Sequence, residues 1–506
     1  MRMQRSKLVQ WSVNGCALFM LGALPLLFHD AYFDINRIKV FAVSGIPLLA
    51  AFVLIFIPNR KKRIALSIKT KSTMGLLALL ISACLSYCMS GFQSAVLTGS
   101  AGRYCGLLFL AACASAYFLI SSRSTQTEGI LGIALACAAL VALLGIIQAA
   151  GLDPLRFYTR ILPGTEHHFL STIGNVDFYG AYLAMLFPFM LGVYVFSGSR
   201  LIRLLCIFGS TILLFGALVA RADVPFAAIQ MGCVVITLLS AGIKAQLCRS
   251  MAVWAVSWCM LPAVQAYLLR SRFGLTFSGV LFTLCSSHAA PLMGIALLFL
   301  AMFISCIPEK VYRVPERKRL LCGLGLFLLL VICLLLAAGV ICTYVLPEGA
   351  AVPSLLRFND QWGSRRGFVY RCSTLALADY TPLELLFGKG LDLTRNILTP
   401  YFDDPQMLAS GVFNDAHCQP LQFLLTCGIL GLLSFIAFYI CSFRSVLVYA
   451  GQDPLLCGAA AFLAAYGVIM LLSVTQPIVI ATYFSLCAIT RSRIRTMHAK
   501  EVSDES

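Results

Sequence analysis

Histidine and arginine, set beside long apolar runs, offer this sequence its most usable chemistry. Residues 414–435, NDAHCQPLQFLLTCGILGLLSF, hold His417 among small and polar neighbours and then run into a mostly apolar stretch. Upstream, SRRGFVYRCSTLALADYTPLELLFGKGLD (364–392) sets Arg365 and Arg366 side by side and places Lys389 between Gly388 and Gly390. An imidazole can take up a proton near neutral pH. Guanidinium groups match phosphate oxygens in pairs and keep their charge. An arginine-bearing loop that ends in a histidine at the mouth of an apolar helix therefore suits an anionic substrate anchored in a membrane. From the residues alone, His417 is also placed to be a plain helix cap, and Arg365 and Arg366 to pair with lipid head groups or loop carboxylates.

The elements that must position these groups are membrane helices. Of 506 residues 60% are hydrophobic and 12% charged, and the mean hydropathy is +0.89, too apolar for a water-soluble globule of this length. The expected fold is all-α and polytopic, with about 12–14 transmembrane helices. Fourteen apolar runs approach the ~20 residues that a crossing needs: 11–28, 38–57, 74–92, 104–121, 129–150, 178–197, 202–220, 224–242, 251–269, 279–306, 320–346, 419–443, 456–473 and 476–490. The first follows Arg2, Arg5 and Lys7 as a signal peptide would, but no small-residue cleavage site comes after it, so it is read as a span. The division is 1–150 as N-terminal helices, 151–346 as central helices, 347–418 as an outer catalytic loop, 419–490 as C-terminal helices and 491–506 as a tail.

Charge orients the bundle. The net +17 is scattered through short connections rather than gathered in one domain, which speaks against nucleic acid. Basic clusters such as NRKKRIALSIKTK (59–71), EKVYRVPERKR (309–319) and RSRIRTMHAK (491–500) fall on one side of the alternating spans. The positive-inside rule makes that side the cytoplasm, with both termini there, and puts 151–177 and 347–418 outside. Apolar Phe368, Cys372 and Leu375 are spaced for one face of a helix lying on the membrane, and that helix should stop before Pro382. The 21 cysteines lie mostly inside apolar runs, with no metal-binding spacing; a Cys372–Cys418 disulfide is conceivable. The tail KEVSDES is expected to be disordered.

Three stretches together resemble the O-antigen ligase and O-antigen polymerase superfamily of bacterial membrane glycosyltransferases. LSTIGNVDFYGAYLAMLFPF (170–189) is similar to that family's Gly-Asn-x-Asn opening of a span, with Asn175 in place and Asp177 where asparagine is usual. The 364–392 stretch is similar to its Arg-Gly-x-x-Trp helix and Pro-x-x-Gly-x-Gly turn, with Tyr370 for tryptophan. Residues 414–435 match its Ala-His-Asn-x-x-Leu-Gln segment, with Cys418 for asparagine. The resemblance implies a glycan donor on undecaprenyl diphosphate and a glycan, lipid or protein acceptor, with transfer at the outer face of the cytoplasmic membrane and no metal or cofactor. It assigns His417 as the base and Arg366 as the motif arginine. The family's earlier arginine falls on Arg221 in VARADVPF, where a structural ion pair with Asp223 and a phosphate contact are equal readings. Arg365 and Lys389 become candidate diphosphate contacts, with Asn175, Asp177, Gly388, Gly390, Asp415 and Gln422 in support. His167 and His168 are read as polar loop residues.

Two other functions compete: a transporter or flippase of lipid-linked sugars, and a multi-span peptidoglycan polymerase. Carriers place polar groups near mid-membrane. Here the spans are nearly free of charge, while polar residues crowd the 347–418 loop, which favours an enzyme.

Overall fold

The computed structural model describes residues 2–56, 70–312, 317–347, 356–403, 414–474 and 476–504. Eleven helices among the described residues are long and apolar enough to cross a membrane. The helices Leu107–Arg123, Arg317–Tyr344 and Pro477–Asp504 stand at the three other expected span positions. The chain is an all-α polytopic membrane protein, and its one described sheet is a two-stranded hairpin pairing Phe169–Leu170 with Gly174–Asn175. Most of the basic cluster 59–71 and part of 309–319 lie outside the described residues, as do 348–355 and 404–413 of the outer loop.

Small side chains let the helices close up. Ala459, Ala460, Ala461 and Ala465 of Pro454–Leu472 are fully buried between Val176–Phe196 and Asp223–Ser240. Such stripes matter in lipid, where dispersion contacts rather than water exclusion draw helices together. Lys39 is the exception to the scarcity of charge: it is buried in Ile35–Phe56, and its ammonium donates to the Thr172 carbonyl.

Three expectations change. The run 279–306 divides into Gly279–Ser286 and Ala289–Cys306, because His288 turns left-handed with φ 57°. The eight-residue piece, at ~1.5 Å per residue, is far too short to cross. The end of the chain is helical through Asp504 rather than disordered. Helix Gln419–Tyr449 is interrupted at Gly428, whose φ of 69° and ψ of −169° are not helical. Residues beyond the break rise roughly 30 Å and suffice for a crossing. Residues 419–427 therefore form a separate short helix next to His417.

An interruption frees carbonyls that water cannot serve inside a bilayer. Here the Leu425 carbonyl accepts from Tyr380 Oη at 2.8 Å and the Lys389 amide at 3.4 Å. The Thr426 carbonyl accepts from Ser86 Oγ and from the Gly390 amide at 3.0 Å, and the Cys427 carbonyl from Ser82 Oγ at 3.0 Å. Helix Lys71–Met89 and the 356–403 segment thus clasp the break from two sides.

The 356–403 segment, expected from the sequence to lie outside, is built from Trp362–Ala378, Pro382–Phe387 and Thr394–Leu398. Trp362–Ala378 ends short of Pro382, and Thr381 with Glu384 forms a capping box that starts the next helix. Its apolar face is Phe368, Val369, Cys372 and Ala376, all buried, while Leu375 is exposed. Phe368 packs on Phe402 at 5.2 Å, so this face lies on the protein itself and not on a membrane surface.

Candidate active site

His417 begins from a local turn. Asp415 Oδ1 accepts the His417 amide at 2.7 Å, and Gln422 Oε1 accepts the Ala416 amide at 3.0 Å. His417 is held left-handed with φ 53°, an unusual state for a bulky residue that costs about 1–3 kcal/mol. The helix cap is Cys418, whose side chain makes no capping hydrogen bond. His417 stands one residue before it. Burial holds the imidazole below its ordinary value of 6.5; Asp415 opposes that, and the Arg366 and Arg103 charges reinforce it.

The arginines of the segment differ in how far their charge is already answered. Arg371 pairs with Asp360 at 2.9 Å and with Asp403 at 2.8 Å. Arg366 is half-buried and, among the described residues, forms no ion pair. Its charge bears on His417, Asp177 and Tyr370. Burial pushes the Tyr370 phenol up to about 12. The adjacent Gly367 is required by contact: a Cβ there would lie 1.9 Å from the Asn359 carbonyl. Arg365 is exposed and left-handed with φ 71°, so it departs from regular helix geometry.

Arg221, held left-handed with φ 60°, donates through Nη2 to the His167 carbonyl at 2.9 Å. It does not pair with Asp223, which instead accepts the amides of Val280 at 3.1 Å and Leu281 at 3.0 Å. Asn175 caps helix Val176–Phe196 by accepting the Asp177 amide at 2.8 Å. Asp177 is exposed, yet protein closes round it on most sides, as on the floor of a crevice; Arg366, His168 and Arg221 act on it electrostatically. Arg366 thus links His417 to Asp177, and Arg221 links Asp177 to His167, so groups from four separate segments act on one another.

Other expected members stand elsewhere. Lys389 pairs with Glu384 at 3.4 Å and lies 4.5 Å over the Tyr380 ring. Gly388 and Gly390 bring the loop against protein rather than toward a ligand: a Cβ on Gly388 would meet the Thr426 carbonyl group at 2.3 Å, and one on Gly390 would meet Val96 at 2.7 Å. Cys372 and Cys418 are both free, and the Cys372 thiol donates to the Tyr401 carbonyl at 3.3 Å, so no disulfide joins them.

Sequence reasoning missed Arg103 and Asp392. Arg103 is 4% exposed, with its Nε 3.2 Å from Asp392 and its Nη1 on Asp415. Burial opposes its charge, but the two carboxylates outweigh that and hold it protonated. The one clue in sequence was a lone arginine among glycines in TGSAGRYCG, before a span.

Residues 273–436 match the family model described as O-antigen ligase. The matched stretch contains Arg366 and His417 and leaves out Arg103, Asp177 and Arg221. No curated protein matches the chain. Among the described helices of membrane-crossing length, that stretch of a polytopic membrane protein is what resembles the O-antigen ligase family.

Proposed function

We propose that the protein transfers a glycan from undecaprenyl diphosphate to an acceptor hydroxyl or amine at the outer face of the cytoplasmic membrane, with both termini in the cytoplasm. The observation that supports this reading is Arg366, a guanidinium whose charge acts on His417 and Asp177 and which forms no ion pair among the described residues, while Arg103 and Arg371 each hold two carboxylates. A diphosphate is the ligand such a charge awaits. Arg221, bonded only to a carbonyl, adds a second cation that acts on Asp177.

In the reaction the acceptor gives its proton to His417 as its oxygen or nitrogen bonds to the anomeric carbon. The bond from that carbon to the diphosphate oxygen breaks, and undecaprenyl diphosphate leaves with the electron pair. Charge grows on phosphate oxygens, where fixed guanidinium groups stabilise it without reorganising. Asp177 is fitted to orient the sugar or the acceptor, since a carboxyl group near Arg221 and Arg366 can accept hydroxyl hydrogen bonds.

The test supplies purified protein in lipid nanodiscs with the undecaprenyl-linked glycans that a deletion strain accumulates, and follows release of undecaprenyl diphosphate. His417→Ala is expected to lower the rate by roughly 10²–10⁴-fold with donor binding retained. Arg366→Lys is expected to lose more than Arg365→Lys, because a point charge cannot replace a bidentate fork. A near-parental rate for His417→Ala, or equal rates for the two lysine variants, would overturn the assignment.

A further inference from the structure

Arg103 sits on the turn between helices Gln93–Thr98 and Leu107–Arg123, about 170 positions before the region matched to the family begins. Its guanidinium joins two parts of the outer segment that are far apart in sequence. Toward one side, Nη1 donates to the Asp415 carboxylate and to the Asn414 carbonyl at 3.1 Å. Toward the other, Nε lies 3.2 Å from Asp392 Oδ1. Asp392 Oδ2 in turn accepts the amides of Ser100 at 2.9 Å and Cys105 at 3.0 Å, which fastens it to the turn that carries Arg103. Asp392 and Asp415 are both fully buried, and without the cation between them two like charges would share one dry space.

The chain of contacts ends at the imidazole's own backbone. The Asp415 carboxylate held by Arg103 is the group that accepts the His417 amide and keeps that residue left-handed. A strained conformation persists only where its surroundings over-determine it, and here the surroundings are Arg103, Asp415 and Gln422.

We infer that Arg103 is a positioning residue: through Asp415 it fixes where His417 stands, and through Asp392 it ties the 356–418 segment to the N-terminal helices. The site is then incomplete within residues 273–436, because its placing residue comes from outside them. The inference rests on the reading of His417 as the base. Lysine would not substitute, since a single ammonium on a flexible stem can meet one carboxylate but not hold two in fixed register.

The experiment compares Arg103→Gln, Arg103→Lys and Asp415→Asn in the purified full chain, each alone and combined with His417→Ala, using the deletion-strain glycolipids as donor. Asp415→Asn keeps an amide oxygen for the His417 amide but loses the ion pair. Each single variant is expected to lose activity about 10- to 100-fold, with undecaprenyl diphosphate still bound. In the His417→Ala background the same changes are expected to cost nothing more, because the group they position is gone. The acid limb of the pH profile supplies a readout that general loosening would not give. The charged groups acting on His417 are Asp415 on its own segment, Arg366 on Trp362–Ala378 and Arg103 on the 99–106 turn. Removing Arg103 should move the limb to higher pH, and removing the Asp415 charge should move it to lower pH. Parental rates, or losses that add fully to that of His417→Ala, would overturn the positioning role alone. If Arg103→Gln fails to accumulate in membranes, Asp415→Asn decides: a parental rate with an unmoved limb overturns the inference. A near-parental rate for His417→Ala itself would instead remove the base assignment and this inference together.

Discussion

A base works only while it is unprotonated, and His417 stands where that condition is easily met. Burial and two guanidinium charges hold its imidazole below 6.5 against the opposing pull of Asp415. The sign follows directly: the neutral form persists from high pH down past 6.5, and protonation begins only lower. Transfer rates should therefore be flat through neutrality and fall on the acid side of 6.5, a limb that kcat/KM measured from about pH 4.5 to 8 would locate. A limb above 6.5 would mean that Asp415 dominates and that the site is wetter than its packing implies. The types and spacing of His417 and Arg366 were legible in sequence because a base and a phosphate-binding fork have few chemical substitutes. The left-handed backbone of His417 was not, since it depends on an acceptor two residues away whose own orientation is set from Arg103.

At the scale of elements, the decisive feature is the break at Gly428. The apolar run 419–443 reads as one span because periodicity registers side chains and is blind to which carbonyls have partners. Cys427 and Gly428 do nothing to interrupt it. What the break requires, hydroxyls from Ser82 and Ser86, lies more than 300 positions away. Gly428 and Gly388 meet backbone to backbone: a Cβ on Gly428 would lie 2.4 Å from the Leu386 carbonyl group. Gly428→Ala combines a left-handed φ of 69° with that contact, so it should cost about 1–3 kcal/mol in conformational strain and push the outer segment off the helix. Thermal unfolding in detergent, set beside the transfer rate, checks this. Activity lost with an unchanged unfolding temperature would indicate a shifted segment, and no change in either would show that the contact is compliant.

For the whole molecule, the alternation of spans brings 99–106, 166–177, 221 and 356–418 to one face, and the contacts among Arg103, Asp415, Arg221, His167 and Asp177 require that same side. Span positions were legible because hydrocarbon imposes a length on any helix that crosses it. The partnership of Arg103 with Asp392 and Asp415 was not, because nothing local marks an arginine that will find its carboxylates 289 and 312 positions later. The positive-inside rule predicts that the site side faces out, since basic clusters in the sequence fall on the other side of the spans. With the native cysteines replaced, Asp403→Cys on the exposed end of the outer segment should react with an impermeant maleimide in intact cells. Labelling only after permeabilisation would reverse the bundle and place the site in the cytoplasm.

The clasped break also has a meaning in time. A ribosome delivers Ser82 and Ser86 to the membrane long before it makes the carbonyls of Thr426 and Cys427 that they will satisfy. Until the 356–403 segment has packed against it, the Thr426 carbonyl has only one of its two donors. Helix Gln419–Tyr449 therefore docks into a slot prepared by Lys71–Met89, so the order of synthesis is also the order in which this clasp becomes assembled.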